Sequence, residues 1–215
     1  MKTRKLSELP HFGRNGVTVF WGGAGIGKSN AIIQTVSMNP ESVAVFLNAD
    51  LFSDFIRNDD VTIKVDGSMD KDALVSSLSV PMTTKGSCIF MNVTGSKDSV
   101  QRVIAEIMKQ HPNNEYILVF NRINQDGVIL KECVTENSRV FLETQYIHDV
   151  DHEIIYNADG VLFWTPSSCI KYSNSDYNIE RMRSTLKCGE ALYISEGHDD
   201  CKVCFDRYET ESATL

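Results

Sequence analysis

The chain has no long apolar run. Its apolar runs, such as Tyr116 to Phe120 and Val161 to Trp164, are strand-length, far short of the roughly 20 residues that a membrane-spanning helix needs. Met1 to Gly16 is polar and basic and lacks the apolar core of a secretory signal. A soluble protein is therefore expected, though one free to dock on a membrane partner. Positive charge is also short: 21 Lys and Arg against 29 Asp and Glu leave a formal net charge of -8. Cations must displace the counterions around a phosphate backbone, so this balance disfavours a monomer that binds nucleic acid non-specifically. Work on DNA would need basic residues gathered locally, as in a pore built by several subunits. Six cysteines are present, but only Cys201 and Cys204 form a C-x-x-C pair, and no second pair or histidine pair completes a zinc site. The apolar pattern around them reads as a strand, which puts the two thiols on opposite faces. Free thiols suit a reducing cytosol.

What remains is an ordinary globular composition, 42% hydrophobic and 23% charged over 215 residues, enough for one α/β domain. Residues 1–15 read as a loose basic leader, 16–208 as the domain and 209–215 as a flexible tail. Val17 to Trp21 is a short β-rich run, followed by a glycine-rich loop and by helical spacing over Asn30 to Val36. Ser42 to Leu47 and Val61 to Val65 read as strands, and Lys71 to Leu78 as a helix. Cys88 to Val93, Tyr116 to Phe120, Val140 to Thr144 and Val161 to Trp164 read as further strands. Ser99 to Gln110 is an amphipathic helix with Val100, Val103, Ile104 and Ile107 on one face. Val128 to Cys133, Asp151 to Ile155 and Asp176 to Leu186 look helical, and Ala191 to Ser195 with Cys201 to Asp206 forms a hairpin. Such alternation predicts a mostly parallel sheet flanked by helices, with a C-terminal β-hairpin. Ligands of such sheets bind at the carboxyl ends of the strands.

The loop at that place is Gly22-Gly23-Ala24-Gly25-Ile26-Gly27-Lys28-Ser29, which matches G-x-x-x-x-G-K-[ST] between a strand and a helix. Glycines let successive N–H groups turn inward toward phosphate oxygens, and the helix offers them its positive end. With Asn30 these residues form the expected nucleotide-binding set. Lys28 is expected to reach the β- and γ-phosphates of ATP, and the Ser29 hydroxyl to coordinate Mg2+.

A P-loop ATPase also uses a carboxylate at the end of a second strand. The best strand for it, Tyr116 to Phe120, runs into Asn121-Arg122-Ile123-Asn124. Asn121 can accept a hydrogen bond there but cannot act as a base. Asp126 reaches back only if its loop folds over. Asp50 and Glu143 are the other acids, each more simply read as a solvated or locally paired side chain. Gln145 ends the strand beside the P-loop, where an amide can sense the γ-phosphate or orient water.

Taken together, the P-loop, the order of strand, amphipathic helix and apolar strand from Cys88 to Phe120, and the run Phe141-Leu-Glu-Thr-Gln145-Tyr-Ile-His148 resemble the FtsK–HerA superfamily of DNA-pumping P-loop ATPases, whose domain is RecA/ASCE-like. Asn157-Ala-Asp159 entering the strand to Trp164, and Gly189-Glu-Ala-Leu-Tyr-Ile194 before the hairpin, are similar to the closing elements of those motors. The likeness is to genome-packaging ATPases of poxviruses and membrane-containing icosahedral viruses. Their Walker B acids fall here on Asn121 and Arg122, and a frequent arginine is replaced by Tyr156. The resemblance implies an ATP- and Mg2+-dependent motor moving double-stranded DNA through a homo-oligomeric pore, a hexamer or pentamer, in host cytoplasm or virion. It also implies a capsid or membrane vertex partner. Lys85, Lys97, Arg102 and Lys109 are then pore candidates, and Arg122 and Arg139 candidate trans-acting arginines. The absent acid keeps a second expectation open, an assembly protein that uses ATP binding as a switch. A small kinase ranks below both for want of an arginine-rich lid.

Overall fold

The structure, a computed structural model, describes residues 3–5, 8, 16–23, 27–66, 69–94, 97–121, 131–145, 158, 160–163, 190–194 and 201–205. Their strands are β1 (Thr3–Lys5), β2 (Gly16–Trp21), β3 (Val43–Leu47), β4 (Val61–Val65), β5 (Cys88–Val93), β6 (Tyr116–Asn121), β7 (Ser138–Thr144), β8 (Gly160–Phe163), β9 (Glu190–Ile194) and β10 (Cys201–Cys204). The helices are α1 (Lys28–Ser37), α2 (Lys71–Thr83) and α3 (Lys97–Gln110). One sheet holds all these strands in the order β1-β10-β9-β8-β2-β7-β6-β3-β5-β4. From β4 to β8 every neighbouring pair is parallel. The terminal hairpin β9–β10 is antiparallel and joins β8 antiparallel as well. Within the expected loose leader, Thr3–Lys5 pairs parallel with β10. The mostly parallel sheet flanked by helices and its C-terminal hairpin are thus as expected.

Two cores lie on the two faces of the sheet. Val140 and Leu142 of β7 join Val43, Val45, Leu118 and the apolar sides of α2 and α3. Phe141 turns the other way, to Phe20, Phe46, Phe90 and the Ala31-Ile32-Ile33 stripe of α1. Burial on both faces explains why β3 and the Val140–Leu142 centre of β7 read as continuous apolar runs and not as alternation. Each isoleucine buried by α1 contributes about 2 kcal/mol.

The helices extend past their expected ends. α2 runs to Thr83, although Pro81 lies inside it. A proline in the last turn removes one backbone donor, and Met82, fully buried, anchors that turn. The hydroxyls of Ser79 and Thr83 also donate back to the carbonyls of Val75 and Ser79. At its start Asp70 caps the helix, accepting from the Ala73 N–H at 2.7 Å. A 3-10 segment, Ala49–Phe55, was not expected; Asn48 enters it with φ 64°. It seats Phe52 on Phe46 with ring centroids 4.8 Å apart, and Phe46 stacks on Phe90 at 4.5 Å. Within the helical stretch expected over 128–133, Lys131–Cys133 is a 3-10 turn, and the first residues of that stretch lie outside the described ones. The helices expected at 151–155 and 176–186 lie outside them too.

Candidate nucleotide-phosphate site

β2 lies between β7 and β8, so the loop that leaves it at Trp21 emerges in the interior of the sheet at its carboxyl edge. Gly22 N–H donates to the Thr144 carbonyl at 3.2 Å, tying the loop to the end of β7. Ala24, Gly25 and Ile26 lie outside the described residues. Gly27 then starts α1 in the left-handed region, φ 99° and ψ 10°, a conformation that glycine adopts without penalty. No side chain caps this helix and no acid lies in its first turn. The start of α1 therefore presents positive potential that no carboxylate of its own turn cancels.

Lys28 is 4% exposed. Its ammonium donates to the carbonyl of Gly22 at 2.9 Å and of Gly23 at 2.7 Å. It also lies 3.6 Å from Oε1 of Glu143. The Ser29 hydroxyl donates to both oxygens of the same carboxylate, at 3.3 and 3.4 Å. Glu143 is itself 5% exposed. Strand alternation explains its place: Val140 and Leu142 face α2 and α3, so Phe141 and Glu143 face α1. In register, Glu143 sits level with Phe20 of β2 and Asn121 of β6.

The expected residues separate as follows. Gly22, Gly23, Gly27, Lys28, Ser29 and Asn30 line up at the exit of β2 and the first turn of α1. Gln145 follows β7 directly, two positions past Glu143 and half-buried. Asn121 is the last residue of β6, whereas Arg122, Asp126, His148, Tyr156, Asn157 and Asp159 lie outside the described residues. Asp50 is exposed on the 3-10 segment. Arg139 stands at the amino end of β7, the opposite end from the loop, where it pairs with Glu115 at 3.3 Å and donates to Asn39. Lys85 pairs with Glu41 at 3.6 Å, and Arg102 and Lys109 lie exposed on α3. Glu143 is the residue that sequence reasoning undervalued. The available signal was a carboxylate inside an otherwise apolar strand run, where a solvated acid has no place.

The donor set suits a hard cation. Ser29 and Glu143 offer oxygen ligands, which Mg2+ prefers, and no group of three His, Cys, Asp or Glu occurs among the described residues. Any such ion would depend on phosphate and water oxygens besides these two. Cys88, Cys133, Cys201 and Cys204 are free thiols. Burial pushes Cys88 up to about 11 and Cys133 up to about 12, so neither is poised as a nucleophile.

A parallel sheet carrying a Gly-Lys-Ser loop between β2 and α1 is the P-loop NTPase architecture. No protein-family model matches the sequence, and no curated protein matches it. Among solved structures, the genome packaging NTPase B204 from Sulfolobus turreted icosahedral virus 2, in complex with sulfate, superposes with TM-score 0.62 at 11% identity, over 91% of this chain and 99% of that one. The same protein in complex with ATP-gammaS gives 0.58 at 13% identity, over 87% and 96%. EssC (ATPases 2 and 3) from Geobacillus thermodenitrificans gives 0.53 at 12% identity, over 91% of this chain and 40% of that one. The likeness is one of fold: this chain has a P-loop NTPase fold similar to that of the B204 packaging NTPase. No helix among the described residues is long and apolar enough to cross a membrane.

Proposed function

We propose that the protein is an ATP-hydrolysing P-loop motor that packages a viral genome, translocating double-stranded DNA as a homo-oligomeric ring. The observation that carries this reading is the convergence of Lys28 and Ser29 at the exit of β2, with Gln145 at the end of the neighbouring strand. Lys28 holds the β- and γ-phosphates of ATP, the start of α1 adds its N–H groups, and Gln145 senses the γ-phosphate. Mg2+ held beside Ser29 supplies charge neutralisation on the phosphate oxygens when bound. Support for the DNA-packaging part comes from the neighbours, whose own description is genome packaging. The pore and its capsid or membrane vertex partner belong to this proposal.

Steady-state ATPase turnover with and without DNA tests it. Wild type is expected to turn over faster with DNA, and Lys28→Ala to lose on the order of 100-fold or more. Wild-type turnover equal to the Lys28→Ala background would sink the motor.

A second reading is favoured by one observation: β6 ends on Asn121, with no acid there. In it the protein binds ATP as a conformational switch during assembly and hydrolyses little. Nucleotide binding without turnover, abolished by Lys28→Ala, is its expected outcome.

A further inference from the structure

P-loop ATPases hold magnesium between the loop hydroxyl and a strand-end carboxylate, and the strand expected to carry that carboxylate ends here on an amide. We propose that Glu143 supplies it, so that the acid comes from β7, directly beside the P-loop strand, instead of from β6, one strand further out. The inference rests on the nucleotide-binding reading above.

Geometry is the first support. Both Glu143 oxygens lie within 3.4 Å of the Ser29 hydroxyl, the group that a P-loop contributes to the metal. Register is the second. Glu143 is the direct neighbour of Phe20 on one side and of Asn121 on the other, so it presents a carboxylate one strand across from the end of β6 and at the same level. Burial is the third. A carboxylate carried into a sheet interior costs several kcal/mol unless it is paired, and the groups that pair Glu143 here, Lys28 and the Ser29 hydroxyl, are the phosphate- and metal-facing groups of the loop. Asp50 does not compete, since it is exposed on a different segment.

The bland alternative is that Glu143 only pairs Lys28. The two differ in what the metal senses. Binding of a fluorescent ATP analogue in EDTA, followed by Mn2+ titration of the complex read by electron paramagnetic resonance, measures nucleotide and metal affinity separately. Glu143→Gln is expected to keep nucleotide affinity in EDTA and to weaken Mn2+ about 10- to 100-fold. Asn121→Asp in the Glu143→Gln background is expected to regain part of that loss, because it returns an acid to the register-partner position. Wild-type Mn2+ affinity in Glu143→Gln would overturn the proposal. Failure of the wild type itself to bind the analogue would overturn the P-loop reading instead. Should Glu143→Gln not fold, Glu143→Asp carries the same test: the charge stays but its reach shortens, so Mn2+ binding must weaken, and an unchanged value sinks the proposal.

Discussion

Lys28 and Glu143 bring opposite charges into a space that leaves each almost no contact with solvent. Their mutual attraction and the hydrogen bonds from Ser29 and to the loop carbonyls offset a desolvation cost of several kcal/mol per ion. Removing one partner strands the other. Lys28→Met should therefore lower the unfolding free energy by about 3 kcal/mol, and the double variant Lys28→Met/Glu143→Gln should regain part of it. A double-mutant cycle by urea denaturation measures that coupling, and strict additivity would mean the charges do not sense each other. Cys133 gives a second test. Its thiol, fully buried with Sγ 3.5 Å from the Gln101 carbonyl, is moved by burial from 9.0 up to about 12. The folded state thus keeps the proton that the unfolded state releases first. The contribution is whole below the unfolded value and is lost as pH rises from there through the folded one. The stability gap between wild type and Cys133→Ala should shrink between about pH 9 and about pH 12. A constant gap would show that the thiol ionises alike in both states.

Among the elements, α1 depends on its first link. Gly27 has open space where a Cβ would sit but holds φ +99°. Gly27→Ala should therefore cost about 1 kcal/mol through backbone strain alone, and should weaken nucleotide binding by tilting the first turn, a change readable by calorimetry. Gly160 of β8 differs: a Cβ there would stand 2.5 Å from Cε2 of the buried Tyr193 ring. Gly160→Ala should cost about 2 kcal/mol by overpacking, and the thermal midpoint reads it. Elements of this kind were legible to different degrees. β3, the Tyr116–Phe120 run of β6 and the Val140–Leu142 centre of β7 announce themselves because burial on both faces makes them apolar. The end of α2 did not, because Pro81 reads as a stop while Met82 holds the last turn in place. The segment after Asn48 stayed hidden because an aromatic cluster from three separate stretches sets it. The loop was readable from Gly22 to Ser29 as a local motif. Its carboxylate was not, since Ser29 and Glu143 are 114 positions apart and only the strand order brings them together.

At the scale of the whole molecule, a net charge of -8 makes one copy a poor DNA binder. The proposed ring therefore predicts that assembly precedes DNA engagement. Sedimentation with an ATP analogue and Mg2+ should give a pentamer- or hexamer-sized multiple of 24.1 kDa, and a strict monomer would sink the ring. DNA stimulation of turnover should fall steeply with salt. The position of β2 carries a further consequence, for the order of folding. β3, β5 and β4 with α2 and α3 close on one another over short stretches of chain, whereas the P-loop strand waits for β7 and β8 on either side. Long loops close slowly, and a chain emerging from the ribosome presents its glycine loop long before either flank exists. On the proposed reading ATP is then a ligand of the finished fold and no template for it: added during refolding, it should leave the early phases untouched and stabilise only the last.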